Sequence, residues 1–357
     1  MRRLLTDRHV WLVIVSGGVL GTFGVLLAFW GNPEHSGICV SCFLENTAGA
    51  LGLHPDTRMQ YLRPELPGFI LGAMASALVG KEFKTRGGKA PIFRFMSGFF
   101  LIVGCTVFIG CPIKLFLRLT AGDMTVWSGL LGLLVGIGIA TRGLTSGVHI
   151  DRGETQRGGG GVLVPLLFLF FLLLLFVKPA FILFSERGSA AQHAPVLISL
   201  LVALLIGVLA QRSRFCITGA LRDLFLIGFR APLFWGLVAM VLAAVVTSLL
   251  TGSFRLGLYG QPGAHFDMFW SFAGMLLVGW MSVLIGGCPF RQLVKAGEGD
   301  TDAGMVVLGM LTGAGIVQSW NISATAAGVS FYGQVAVLVG LIFVLTTSLL
   351  FRERATA

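Results

Sequence analysis

The chain has 357 residues, of which 55% are hydrophobic and only 12% charged, with a mean hydropathy of +0.87. A soluble domain carries about 25% charged residues, so this sequence has roughly half the charge needed to clothe a water-facing surface. Its 50 glycines follow no three-residue period, and collagen-like, disordered and disulfide-scaffold classes are excluded along with the ordinary soluble enzyme. The composition is that of an all-α, polytopic integral membrane protein. The net charge of +10 sits in short Lys and Arg clusters between apolar runs, not in a basic stripe with interleaved aromatics. That pattern sets membrane orientation and argues against nucleic-acid binding.

A spanning helix needs about 20 mostly apolar residues. Runs of this kind lie at 10–30, 67–80, 93–110, 125–141, 162–184, 196–210, 232–251, 268–287, 303–319 and 334–351. The first follows Arg2, Arg3 and Arg8 and resembles a signal peptide. Its length and the lack of a small-x-small cleavage site make it a retained first helix.

Charges in the connections fall into two sets. One side collects Arg2, Arg3, Arg8, then Lys81, Lys84, Arg86 and Lys89, then Arg142, Arg152 and Arg157. Arg212, Arg214, Arg222, Arg230, Arg291, Lys295, Arg352 and Arg354 fall on that side too. The other side holds Arg187 beside Glu186, Arg255, an uncharged stretch from Trp320 to Gln334, and Arg58 and Arg63 among acidic residues. Nine or ten crossings are expected, and ten place both termini in the cytoplasm, as the positive-inside tendency requires.

The sequence repeats itself at a constant offset of 177 residues. Gly110-Cys111-Pro112-Ile113-Lys114 matches Gly287-Cys288-Pro289-Phe290-Arg291. In the same register Arg118 matches Lys295, Gly122-Asp123 matches Gly299-Asp300, and Ser36 and Cys39 match Ser213 and Cys216. Gly132, Gly136 and Gly138 fall on Gly309, Gly313 and Gly315. Two halves are expected within one membrane domain, residues 1–177 and 178–357. Each has an odd number of apolar runs, so the second enters from the opposite face. Inverted repeats of this kind place a substrate site near the midplane of many transporters, and a channel can be built the same way.

Four of the six cysteines form equivalent pairs, Cys39 with Cys216 and Cys111 with Cys288. Cys105 aligns with Ser282 and Cys42 with Gly219, which leaves those two peripheral. A lone Cys in an apolar segment usually packs as a small hydrophobe; two matched pairs in unusual local sequence point further. In Gly-Cys-Pro the proline suits the first turn of a helix, so the Cys sits at a helix N-terminus inside the membrane. Open N–H groups and the helix dipole there favour an anion and a reactive thiol. Lys114 and Arg118 share one helix face, as do Arg291 and Lys295; they either line a pathway or snorkel to the interface. The segments after Cys39 and Cys216 are too short to span and read as re-entrant half-helices, tolerated only where buried or lining a cavity. Ser41 and Thr218 bring hydroxyls beside those thiols.

Other chemistries fit less well. Cys39-x-x-Cys42 has dithiol spacing without a βαβ context. His9, His35, His54, His149, His193 and His265 are scattered without metal spacing, and no phosphate loop, dinucleotide fingerprint or Ser/His/Asp arrangement is present. No cofactor and no metal are expected. Asp123 and Asp300 stand where helix N-caps belong. No acid lies in the middle of a long apolar run, although Glu45 and Asp223 fall in the half-helices. That absence favours passage that is passive or driven by chemistry inside the cell.

A path lined by weak S–H donors and helix N-termini suits a soft, polarisable anion that must also leave. Thiosulfate, sulfide and reduced selenium species fit.

The motifs Gln211-Arg212-Ser213-Arg214-Phe215-Cys216, Gly110-Cys111-Pro112 and Gly287-Cys288-Pro289-Phe290-Arg291-Gln292-Leu293 resemble the YeeE/YedE family of bacterial membrane proteins. The run on to Gly297-Glu298-Gly299-Asp300-Thr301-Asp302 is most similar to its YedE branch, described as selenium transporters. The resemblance implies an hourglass-shaped inner-membrane transporter with inverted repeats, not an enzyme. It also implies an ion path over Cys111, Cys216 and Cys288, with Cys39 completing the symmetry, and a small TusA-like sulfur carrier as intracellular partner. Lys114, Arg118, Arg291 and Lys295 would supply the attracting field. Cys42 and Cys105 depart from the thiosulfate members of the family. Two competing readings stay open: a thiol enzyme relaying sulfur or electrons through Cys39 and Cys42, and a membrane anchor for a sulfur carrier.

Overall fold

The computed structural model describes residues 7–146, 153–156 and 159–351. Arg2, Arg3, Arg152, Arg157, Arg352, Arg354 and His149 lie outside the described residues, as do both ends of the chain. The apolar runs are helices throughout. In chain order they are α1 (Arg8–Phe29), the short α2 (Val40–Ala50), α3 (Glu65–Val79), α4 (Pro91–Val107), the short α5 (Pro112–Thr120), α6 (Val126–Thr145) and α7 (Leu163–Val177). The second half has α8 (Val196–Ser213), the short α9 (Ile217–Ile227), α10 (Pro232–Leu250), α11 (Met268–Leu284), the short α12 (Pro289–Gly297), α13 (Thr301–Ser319) and α14 (Phe331–Leu350). Nine described stretches are long and apolar enough to cross a membrane, and α3 is a shorter apolar helix. Strand among the described residues is limited to β1 (Arg86–Gly87) paired with β2 (Glu154–Thr155). The protein is an all-α polytopic membrane protein.

Local chemistry sets the boundaries. Proline opens α4, α5, α10 and α12, where its missing N–H leaves nothing unpaired. Asp300 caps α13 by accepting from Ala303 N at 2.9 Å. Its equivalent Asp123 does not cap: its Oδ1 accepts from Thr125 N and Oγ1, and Thr125 itself precedes α6. The run expected over 162–184 stops at Val177, because Lys178 turns left-handed and Pro179 cannot continue the helix.

Helix bounds recur at the sequence offset. Val40–Ala50 maps onto Ile217–Ile227, Pro91–Val107 onto Met268–Leu284, and Pro112–Thr120 onto Pro289–Gly297. Packing recurs with them: α1 lies on α10 as α8 lies on α3, and α6 lies on α11 as α13 lies on α4. The matched helices α4 and α11 touch each other, as do α1 and α8, where a pseudo-twofold axis must pass. Glycine permits the closest approaches. A methyl group on Gly136 would strike the Leu276 carbonyl, and one on Gly309 the Phe95 carbonyl, at the two symmetry-related crossings. Exposed Leu166, Phe170, Leu173 and Phe176 on α7, with Leu338, Ile342, Leu345 and Leu349 on α14, form the apolar surface that lipid would cover.

The connections gather at two ends. At the basic end, Lys84 N donates to Glu298 O, Gln156 N to Thr85 O, and Arg214 pairs with both Glu82 and Glu298. At the other end, Ser185 N donates to Gln60 O, Arg255 N to Ala121 O, Ala194 N to Asn32 Oδ1, and Val329 N to Asp267 Oδ2. This is the partition expected from the loop charges.

Candidate functional site

The short helices have 9 to 11 residues. At 1.5 Å per residue they are about 14–17 Å long, near half of a hydrocarbon core. The C-termini of α2 and α5 reach the loops of the non-basic end, through Ala50 O to Leu183 N and Ala121 O to Arg255 N. The C-terminus of α12 reaches the basic end at Glu298, and α9 runs on to Arg230. All four N-termini therefore point inward, and each begins at a cysteine.

Two of these caps are the same structure built twice. Cys39 Sγ accepts from Cys42 N at 3.4 Å and lies 3.3 Å from Ser41 Oγ. Cys216 Sγ accepts from Gly219 N at 3.4 Å and lies 3.3 Å from Thr218 Oγ1. At Cys111 and Cys288 no side chain caps the helix, so first-turn N–H groups stay open to an anion. The sulfurs of Cys216 and Cys288 are 3.6 Å apart. Cys105 and Cys111 are also free and buried, and Cys111 is near enough to Cys105 and Cys288 for a charge on one to be felt at the other.

The repeats diverge at Cys42. Its sulfur is bonded to Cys39 in a disulfide, with Cα atoms 5.4 Å apart. In that form neither offers an S–H donor. Lys114 Nζ approaches Cys42 Sγ at 3.9 Å, so Cys42 lies beside one of the expected cations.

A cavity of about 800 Å³ at the non-basic end is lined by Cys42, Glu45, Arg63, Ile109, Lys114 and Gln318, among others. A smaller one, about 180 Å³, is lined by Cys216, Gly219, Arg222, Gly286, Arg291 and Ser282, among others. Applying the 177-residue offset to Cys42, Glu45, Ile109 and Lys114 gives Gly219, Arg222, Gly286 and Arg291, so the cavities are counterparts under the repeat.

The four expected cations have different surroundings. Lys114 is buried on the larger cavity and has no ion pair among the described residues. Arg118 Nε pairs with buried Asp123 Oδ2 at 2.7 Å, its Nη2 donates to Thr125 Oγ1 at 2.8 Å, and its ring contact is Phe108. Arg291 pairs with Glu298 at 3.0 Å and Lys295 with Asp300 at 3.4 Å. Of these four, only Lys114 presents a charge without an ion pair to a cavity, among the described residues.

Sequence reasoning passed over Arg63 as one of a mixed-charge loop. Its guanidinium is buried, donates to Asn46 Oδ1, Asn32 Oδ1, Ser189 O and Gln192 O, and lies over the Phe43 and Tyr61 rings. Its acceptors come from three segments, which no local pattern reveals. Ser282, the counterpart of Cys105, has a buried hydroxyl without a partner on the smaller cavity. That residue was findable from the repeat register.

The fold and the paired cavities define a class, a polytopic membrane protein with broken helices meeting at mid-depth. Residues 212–356 match the family described as sulphur transport. The chain is 30% identical to the thiosulfate transporter TsuA of Escherichia coli K12 over 104 residues, 29% of either protein. It is 29% identical to the probable transporter YedE of Salmonella typhimurium LT2 over 147 residues, 40% of this chain and 34% of that one. The matches thus span about a third of those relatives' lengths. They support the YeeE/YedE resemblance seen in the cysteine motifs and do not separate its branches.

Proposed function

We propose that the protein imports a small reduced-sulfur or selenium anion, such as thiosulfate or a selenium analogue, across the bacterial inner membrane. The observation carrying this reading is the group of buried thiols between two cavities related by the repeat. Residues 1–177 and 178–357 are the two repeats, and the basic end faces the cytoplasm. The ion gathers at Lys114 in the larger cavity, meets the open N-terminus at Cys111, and moves along Cys288 and Cys216 to the smaller cavity. Thiols are weak donors, so each site holds a soft anion loosely enough to release it. Arg118, Arg291 and Lys295, each behind a carboxylate, hold the half-helices and soften the cost of bringing a second negative charge inward. Cys39 is the symmetric counterpart of Cys216 and joins the path when its disulfide is reduced. Release at the basic end suits capture by a TusA-like sulfur carrier.

Uptake of labelled thiosulfate and selenite into proteoliposomes, with sulfate as control, tests the reading. Wild-type protein takes up a soft anion but not sulfate, and Cys288→Ala or Cys111→Ala loses at least about tenfold in rate while still inserting. Full uptake in both variants overturns the thiol path. The disulfide favours a second reading, a thiol enzyme relaying sulfur or electrons through Cys39 and Cys42. Mass spectrometry of the purified protein separates the two, because a relay requires a persulfide or a disulfide that turns over with substrate.

A further inference from the structure

Glu45 is a carboxylate that the path described above does not use. It sits on half-helix α2, is 6% exposed, and faces the larger cavity. Its Oε2 accepts from Gln318 Nε2 at 3.1 Å, and no ion pair within 4.0 Å reaches it among the described residues. The charged and titratable groups around it and on its cavity are Lys114 on α5, Cys105 on α4, Glu34 on the loop after α1, and His54, Asp56, Arg58 and Arg63 on the loop after α2. Of the cations, Arg58 is engaged by Asp56, and Arg63 donates only to neutral acceptors but has its counter-charge in buried Glu65, joined to it through Asn32. Lys114 alone remains to balance Glu45.

An arriving anion changes that balance. One ammonium cannot neutralise both a substrate anion and an ionised carboxylate on the same buried wall, and like charges at short range in a low dielectric shift a proton onto the weaker acid. The opposite cavity avoids the conflict, because the counterpart of Glu45 there is Arg222. The asymmetry is thus confined to one side of the path.

We infer that Glu45 is a proton-binding site of the larger cavity, and that a soft anion binds beside Lys114 together with one proton taken up by Glu45. This deepens the transport reading and rests on it. The consequence is a control by external acidity: binding strengthens as pH falls through the titration of Glu45, by up to about tenfold per pH unit where one proton is fully linked.

Calorimetric titration of the purified protein with thiosulfate, in buffers of different ionisation enthalpy, counts the protons bound. Above the titration of free Glu45, wild type is expected to take up close to one proton per anion and Glu45→Gln none, with affinity that no longer varies with pH. Thiosulfate binding by wild type without proton uptake overturns this inference and leaves the transport reading standing. Uptake that persists in Glu45→Gln also overturns it, by assigning the proton to another group. No thiosulfate binding at all overturns this inference, and removes thiosulfate as the cargo in the transport reading. Where the variant fails to fold, infrared difference spectroscopy of wild type decides: protonation of Glu45 adds a carboxylic-acid C=O band on thiosulfate binding, and proton uptake without that band overturns the inference.

Discussion

Ile109 and Gly286 occupy the same place in the two repeats, just before a Gly-Cys-Pro, and both have positive φ, +59° and +79°. Glycine adopts that conformation freely, whereas a β-branched residue there costs about 1–2 kcal/mol. Ile109→Gly relieves that strain but removes a half-buried side chain packed on the core, so it is expected to change stability by no more than about 1 kcal/mol, whereas Gly286→Ile lowers it by at least about 1 kcal/mol; thermal unfolding in detergent reads both. The buried pairs also differ between repeats. Removing the cation in Arg118→Met strands Asp123, which is fully buried, at a cost of about 3–5 kcal/mol. At the counterpart position Lys295→Met costs about 1 kcal/mol or less, because Asp300 is partly exposed and keeps Arg86 Nε at 3.8 Å. Equal losses of melting temperature in the two variants would contradict this ranking.

At the level of helices, close crossings rather than apolar burial decide which faces meet, since lipid is as apolar as a neighbouring helix. Gly136 is seated against the Leu276 carbonyl where α6 crosses α11, whereas a methyl on Gly138, two residues on, would find nothing within 4 Å. Gly136→Leu should cost about 3 kcal/mol, the upper end of overpacking, and show as aggregation or a lowered melting temperature. Gly138→Leu should behave as wild type in the same measurement. Both glycines are repeat-matched in the sequence, so the pattern alone marks them as alike. Their difference lies in the rotation of α6 about its axis, which only the packed neighbour fixes. By contrast, the starts of α5 and α12 were legible at Pro112 and Pro289, because a proline at the first turn is a local signal. The Asp123 cap was misread because α6 starts later than α13 in the repeat register: Thr125 N and Oγ1 occupy Asp123 Oδ1, and Thr125 stands at the helix start.

For the whole molecule, the alternation of basic and non-basic connections was enough to sort the loops into two ends, and the 177-residue register to pair the helices. Which carboxylate answers which cation was not legible. Glu298 gathers Arg86, Arg214 and Arg291 from separate elements, and sequence distance says nothing about such a meeting. Nor did the sequence reveal that Cys42 faces a cavity, since its counterpart is Gly219 and the repeat offers no second cysteine to compare. The paired cavities make a prediction that depends on the entire architecture. Cys42 opens to the larger cavity and Cys216 to the smaller, and the helices between them separate the two sides. In reduced, oriented vesicles, a membrane-impermeant maleimide should modify a variant retaining only Cys42 from one side. It should modify a variant retaining only Cys216 from the other, the side on which a label placed in the Lys81–Lys89 loop also reacts. Modification of both cysteines from the same side would mean that one half-helix enters from the wrong face, and the inversion relating the repeats would fall with it.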